Sequence, residues 1–359
     1  MQPNGEMLRI ARQRKGFHQI EAAKRLGIDQ SLLSRFENGV AEIREEILSL
    51  AERLYEVRRS FFFQTDPIYG APVSVHPMWR KKVDVTSREI DIVIAELNIR
   101  IMHLRRFLEA ADIAKVNDLP RLDIEDYGDA ESVAGLLRAH WKIPRGPIRN
   151  LTVLAERAGV IVAHSTMGGA SISGVTFAVP GMAPLVLLNS EQPADRMRFT
   201  LAHEIGHLVM HRFPSVNMEE EANLFASSLL MPAEDIRPLL SIRKIDLALL
   251  ASLKPEWKVA MQAIIMRAKS LGLLTRNQEE YLWKQISIRK WRFREPPELD
   301  FPADQPTIIT NLVNIFRQHL KYTPEEISKL LHITETDLKS LYLANQDEEA
   351  ARPKFTVIG

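Results

Sequence analysis

Apolar residues recur along this chain mostly at intervals of three and four, the pattern of helices that bury one face. Residues 6–64 predict a compact run of short helices with glycines at turn-like intervals, and residues 65–72 predict a linker. A broad apolar stripe then predicts one long helix from residue 86 to about 119. A shorter helix is expected over 129–141, with a boundary in the proline-containing stretch 144–147.

The period of the pattern changes in the middle of the chain. Residues 151–158 predict a helix, and three short apolar runs after it predict strands, at 159–163, 173–179 and 185–188. Beyond Pro232 the helical period returns, and a proline-rich stretch divides the later helices into two groups. These helices are expected at roughly 243–252, 256–271, 276–286, 306–320, 324–331 and 335–343. The tail from about residue 347 is expected to be loose.

Composition narrows the class of protein. The 359 residues, 45% hydrophobic and 26% charged, are typical of a globular chain with two or three hydrophobic cores. The formal net charge of +1 favours no class of partner. The absence of cysteine excludes disulfides and thiolate metal sites and fits a reducing cytoplasm. No apolar run approaches membrane-spanning length and residues 1–20 are charged throughout, so we expect a cytoplasmic protein with neither a membrane span nor a signal peptide.

The strongest chemical signal is the segment from His203 to His207, which reads His-Glu-Ile-Gly-His. Two imidazoles four residues apart fall on one helix face, about 6 Å apart, close enough to hold one metal ion. Glu204 follows the first histidine and can take a proton from a metal-bound water. A hydrolytic zinc site usually has three protein ligands and one open position for water, so a third ligand is expected on a nearby element.

A second helix over residues 218–223 can supply that ligand, because Pro214 ends the first helix and lets the chain turn back. Glu219 and Asn223 share one face of this helix. Glu219 can bind the metal, while Asn223 can accept a hydrogen bond from the free ring N–H of a ligand histidine. Glu220 and Glu221 remain alternative ligands, or otherwise complement the helix dipole.

A third histidine, His211, is not expected to bind the metal. His211 continues the same helix face, but an ion between the first two histidines cannot reach it, so we expect a structural or rim residue. The rival interpretation is a helix pair without metal. It is disfavoured because the cluster would then bury charge without compensation.

A second constellation lies within residues 19–39. One helix begins at Gln19, Gly27 allows a tight turn, and a second helix follows with Asp29 as its N-cap. Gln19 is placed to contact a phosphate, and the side chains that point outward near the start of the second helix are placed for base edges in a major groove. These side chains are Gln30, Ser31, Ser34 and Arg35. A helix pair used only for dimerisation or peptide contact remains an alternative.

Both constellations resemble known families. Residues 189–190, 196–207, 219–226 and 229–232 resemble the ImmA/IrrE family of metallopeptidases, and residues 6–64 resemble the repressor-type helix-turn-helix domains of the Xre family. The first resemblance implies a zincin-like endopeptidase that cleaves helix-turn-helix repressors. Its one Zn²⁺ per chain would be bound by His203, His207 and Glu219, with Glu204 as general base. The second resemblance implies a double-stranded DNA operator and a homodimer.

The predicted fold is therefore multi-domain and mainly α, with a small sheet in an α+β core. Four parts are expected: a helix-turn-helix DNA-binding domain at 1–64, a linker and helical connector at 65–145, a zincin-like metallopeptidase core at 146–240, and a helical region at 241–359. The pattern of the last region is also compatible with a further helix-turn-helix-like unit.

The function expected from these parts is transcriptional regulation coupled to proteolysis. The peptidase would cleave a separate repressor, or its own chain near residues 65–75, in a stress, mobile-element or toxin–antitoxin-like response. The alternative is a non-catalytic transcription factor or antitoxin whose peptidase-like domain senses a metal, a ligand or a partner.

Overall fold

The computed structural model describes residues 2–70, 86–113, 115–167 and 171–343. Within these residues it contains seventeen α-helices and one three-stranded sheet, which confirms the mainly helical fold with a small sheet. Three predictions extend beyond the described residues: the linker and the self-cleavage stretch, both after residue 70, and the whole tail from residue 347. Among the described helices, none combines the length and the apolar character needed to cross a membrane.

Four short helices and a 3₁₀ turn form the N-terminal domain. They are α1 (Gly5–Arg14), α2 (Gln19–Leu26), α3 (Gln30–Glu37), α4 (Glu45–Tyr55) and the turn Arg59–Phe63. Gly27 ends α2 in the left-handed conformation, with φ of 69°, which glycine adopts at little cost. Asp29 lies at the N-cap position of α3, but its side chain makes no capping hydrogen bond. At the other side of the domain, a Cβ on Gly5 would lie 2.0 Å from the carbonyl oxygen of Phe36, so only glycine lets α1 approach α3 so closely.

A long connector helix, α5 (Ser87–Leu108), lies between the N-terminal domain and the rest of the chain. Its residues Ala95, Ile99 and Met102 belong to the N-terminal core, whereas Leu97 and Phe107 belong to a second core with the sheet. The helix ends before the expected residue 119. The described residues between 109 and 123 are not helical, and the backbone N–H groups of residues 116 and 117 instead donate to the carbonyl of Arg157.

Three small helices and the sheet follow. The elements are α6 (Ile124–Tyr127), α7 (Ala130–His140), α8 (Leu151–Arg157), β1 (Ile161–Ser165), β2 (Gly174–Phe177) and β3 (Leu185–Asn189). The strand order is β1-β3-β2, with β1 parallel and β2 antiparallel to β3. Val186 and Leu188 of β3 face one hydrophobic core, and Leu185 and Leu187 face the other. The central strand is apolar on both faces because the sheet separates two cores.

The remaining helices pack on these two cores. They are α9 (Ala194–Met210), α10 (Met218–Leu230), α11 (Ala233–Ser241), α12 (Leu247–Trp257), α13 (Met261–Ser270), α14 (Arg276–Ile288), α15 (Ile308–Asn314), α16 (Pro324–Leu330) and α17 (Glu335–Leu338). Buried residues of α12 to α14 share a core with α9 and α10. Buried residues of α15 to α17 pack instead with α5. The C-terminal region predicted as one part thus contributes to two different cores.

The last helices also contact the N-terminal domain. Arg14 of α1 forms an ion pair with Asp337 of α17 at 2.7 Å, and the Arg58 guanidinium donates to the Ser328 hydroxyl at 2.7 Å. Both side chains of the ion pair are mostly buried. The N-terminal domain is therefore docked onto the C-terminal helices by polar contacts as well as by α5.

Candidate metal centre

Helices α9 and α10 cross at Gly206, and this crossing creates the site. A Cβ at Gly206 would lie 2.9 Å from the Phe225 ring and 3.5 Å from the Cα of Ala222. Glycine therefore allows the two helices to approach closely between the two histidines of α9. On the face formed there, His203, Glu204 and His207 are 7%, 1% and 4% exposed.

Three side chains converge on one point in this crossing. One ligand atom from each of His203, His207 and Glu219 lies within 4.8 Å of the other two. The two imidazole Nε2 atoms are 3.0 Å apart, and the Glu219 oxygens lie 3.5 Å from Nε2 of His203 and 3.4 Å from Nε2 of His207. A tetrahedral zinc ion bound at its usual distances places neighbouring ligand atoms about 3.3 Å apart. The spacing of these three atoms matches that geometry.

Neighbouring side chains fix the tautomers of both imidazoles. His203 Nδ1 lies 3.1 Å from the Asn223 side-chain oxygen, which can only accept, so this nitrogen carries the proton. His207 Nδ1 lies 2.9 Å from His211 Nδ1, and His211 Nε2 lies 3.0 Å from a Glu221 carboxylate oxygen. Because Glu221 accepts from His211, His211 in turn accepts from His207. Both inward-facing Nε2 atoms are left with lone pairs, the form that binds a metal.

The electrostatics of the cluster call for a cation. Two lone pairs and one carboxylate face each other, and the buried Oε1 of Glu219 has no hydrogen-bond partner. Burial and the adjacent His207 lower the pKa of His211, which keeps it neutral and able to accept. This donor set fits a divalent metal with nitrogen and oxygen ligands.

Glu204 lies beside the three candidate ligands. Its Oε2 accepts a hydrogen bond of 2.6 Å from the hydroxyl of Thr176, and Thr176 is itself buried on β2. The strand approaches α9 closely, since a Cβ on Gly174 would lie 2.5 Å from the Thr200 side chain. Thr176 was not predicted as a functional residue. It lies 28 residues before Glu204, and a threonine in an apolar strand gives no sequence signal of such a contact.

The structure separates the three acidic candidates for the third ligand. Glu219 faces both histidines, Glu221 contacts His211, and Glu220 is exposed. His211 was predicted as a structural or rim residue. The structure gives His211 a more specific role, because it links Glu221 to His207 by hydrogen bonds and so orients the His207 imidazole.

Zinc titration should therefore distinguish the three glutamates. We expect Glu219→Gln to exceed the roughly 10–100-fold loss that is typical when a ligand-orienting residue is removed, and Glu221→Gln to fall within that range. The matched control Glu220→Gln should bind zinc like the unchanged chain. Competition titration with a chelating dye measures all three affinities. A larger loss in Glu220→Gln than in Glu219→Gln would contradict this ligand assignment.

A mostly apolar cavity of about 620 Å³ adjoins the site. It extends from Asn223 and Thr200 past Phe199 and Leu224 to Trp283. Asn223 contacts the His203 imidazole, so this cavity begins one side chain away from the candidate metal ligands. Its size and lining suit a bulky apolar side chain of a bound peptide.

The predicted DNA-contact residues lie together on the N-terminal domain. Gln30, Ser31 and Arg35 are exposed on α3, and Ser34 is half-buried. Gln30 donates to the Gln19 side chain at 2.7 Å, and Gln19 donates to Glu37 at 2.8 Å. A hydrogen bond between the two glutamine side chains therefore spans the turn between α2 and α3.

Comparison with known families supports both resemblances. Residues 155–269 match the family model of peptidases described as the IrrE N-terminal-like domain, and residues 8–62 match the model described as helix-turn-helix. No curated protein matches the sequence at a significant level. Both predicted resemblances are confirmed, in the predicted order. They support a DNA-binding regulator with a peptidase-like domain.

Proposed function

We propose that this chain is a cytoplasmic, DNA-binding transcriptional regulator that carries a zinc-dependent endopeptidase. The convergence of two imidazole nitrogens and one carboxylate, with Glu204 next to His203 in the chain, is the observation that supports it best. His203, His207 and Glu219 would hold one Zn²⁺. When bound, zinc would polarise a scissile carbonyl and make a water molecule more acidic.

Glu204 is placed to move the proton during hydrolysis. Thr176 holds one carboxylate oxygen at 2.6 Å, which restricts the rotation of the side chain. The carboxylate takes a proton from the attacking water as the water oxygen bonds to the scissile carbon. It then delivers that proton to the leaving nitrogen as the C–N bond breaks. Asn223 and the pair His211–Glu221 keep both imidazoles in the tautomer that leaves their inward nitrogens available.

An extended peptide is the substrate form that the surroundings favour. β2 is an edge strand of the sheet, and it carries Thr176 next to Glu204. A peptide paired along this edge would pass the metal centre and place a side chain in the apolar cavity near Trp283. We propose a helix-turn-helix repressor as that substrate, either a separate protein or this chain itself near residues 65–75.

The DNA-binding part of the proposal rests on the exposed face of α3. Gln30, Ser31, Ser34 and Arg35 would contact base edges, and Gln19 would contact a phosphate. Two copies on a palindromic double-stranded operator would supply the affinity that one small domain lacks, so we propose a homodimer on DNA.

Metal removal tests the peptidase directly. The zinc-loaded chain is incubated alone and with a repressor-type helix-turn-helix protein, and intact masses are recorded over time. We expect one zinc per chain and a cut in the repressor or in the chain itself. Chelation with phenanthroline should stop the cut, and added zinc should restore it. Unchanged masses in both proteins, with zinc fully bound, would argue for the non-catalytic alternative.

A further inference from the structure

A separate cavity of about 530 Å³ lies where the N-terminal domain, α5, β1 and the C-terminal helices meet. None of the described residues that line it is a candidate metal ligand. Its walls include Arg14 of α1, Glu96 and Arg100 of α5, and Thr310 of α15. The volume lies within the range of about 300–1,000 Å³ that is common for small-molecule sites.

One wall of this cavity is built from buried charged and polar groups. Arg100 is 2% exposed and donates to Glu96 at 2.9 Å, and its guanidinium lies 4.9 Å from the centre of the Tyr342 ring. The Tyr342 hydroxyl in turn lies 2.7 Å from Nδ1 of the buried His103. Burying charge costs several kcal/mol per ion unless the geometry compensates it. This network fixes the guanidinium in place at the cavity wall.

Arginines outnumber acidic groups on the cavity wall. Among the described lining residues, Arg14 and Arg100 face one acidic group, Glu96. Arg100 engages Glu96, and Arg14 pairs with Asp337, which does not line the cavity. His164 adds no charge, since burial lowers its pKa to about 4. The lining also carries hydroxyl groups that can donate hydrogen bonds to an anion, from Thr166, Ser190 and Thr310.

We propose that this cavity binds a small organic anion, with a carboxylate or phosphate group facing Arg14 and Arg100. Apolar side chains such as Ile92 and Ile309 would contact the remainder of the molecule. Arg14 belongs to the DNA-binding domain, and the other walls belong to the connector, the sheet and the C-terminal helices. A bound anion would therefore contact both halves of the regulator. The site does not depend on the metal centre or on peptidase activity.

The absence of cysteine from the chain allows a direct test. Thr310→Cys places a single thiol in the cavity, and Ser252→Cys places one on an exposed surface as the matched control. Each full-length variant is labelled with a methanethiosulfonate reagent that carries either a sulfonate or a trimethylammonium group. We expect the ratio of the anionic to the cationic labelling rate to be about tenfold higher in the cavity than in the control. Equal ratios in the two variants would overturn the proposal.

Two further substitutions separate charge from loosened packing. Arg14→Gln and Asp337→Asn each break the same ion pair. In the Thr310→Cys background, the first should lower the labelling ratio and the second should raise it. Shifts of both ratios in the same direction would show that domain opening, not anion recognition, sets the rate, and would overturn the proposal.

Competition identifies the anionic group. Inorganic phosphate and citrate are added separately at constant ionic strength, in the presence of chelator, and the labelling of Thr310→Cys by the sulfonate reagent is followed. Protection by phosphate at the lower concentration would indicate a phosphate group, and protection by citrate at the lower concentration would indicate a carboxylate. Either result supports the site, whereas protection by neither anion would contradict it.

Discussion

Glu204→Gln is expected to lower the rate of zinc-dependent cleavage by about a thousandfold, within the range of 10²–10⁴ that a general acid–base residue contributes. Glutamine has nearly the shape of glutamate but cannot take the proton of the attacking water. Its side-chain oxygen can still accept the hydrogen bond from Thr176. Since Glu204 is not among the three converging ligand atoms, zinc content should stay unchanged.

The measurement combines single-turnover cleavage, followed by intact mass, with metal analysis of the same samples. Thr176→Val is the matched control, because it removes the hydrogen bond to Glu204 and leaves the carboxylate. We expect its loss of rate to be smaller than that of Glu204→Gln. If Glu204→Gln cleaved at the original rate, another group or a contaminating peptidase would be responsible. If it lost its zinc, the residue would act in metal binding and not as the base.

The candidate metal centre shows what residue spacing can predict and what it cannot. His203 and His207 lie one helical turn apart, so their shared face follows from the sequence alone. Glu219 and Asn223 follow in the same way once the second helix is placed. The contacts of Thr176 and Glu221 depend on how β2 and α10 pack against α9. Such packing brings together residues that are far apart in sequence, and the spacing of apolar residues within one helix or strand does not predict it.

The same distinction applies to the fold. The starts of α2 and α3 follow from Gln19 and Gln30 with the intervening Gly27, since local turn chemistry fixes them. The end of α5 does not, because the chain beyond Leu108 finds backbone partners near Arg157 instead of continuing the helix. The charged wall of the 530 Å³ cavity also could not be predicted, because in the sequence Glu96 and Arg100 have the spacing of an exposed ion pair one helical turn apart.

Glu37→Gln is expected to destabilise the DNA-binding domain by about 3 kcal/mol or more, since it leaves the Arg12 guanidinium buried without its counter-charge. Arg12 and Glu37 are 5% and 1% exposed, and they form two hydrogen bonds of 2.6 and 2.9 Å. Glu37 also accepts from Gln19, which is bonded to Gln30. The substitution should therefore loosen the candidate DNA-contact residues and weaken operator binding as well.

Amide hydrogen exchange in the full chain measures this effect where it arises. A loss of about 3 kcal/mol corresponds to exchange on the order of a hundredfold faster in α1 and α3. Glu6→Gln is the matched control, because Glu6 pairs with Arg9 on the exposed side of α1 and should change stability by less than about 1 kcal/mol. The double variant Arg12→Met/Glu37→Met should recover most of the protection, since an apolar pair leaves no buried charge unpaired. If the amides of the double variant exchanged as fast as those of Glu37→Gln, the uncompensated charge would not be the cause. The shape of the Arg12–Glu37 pair would then be what stabilises the packing of α1 on α3.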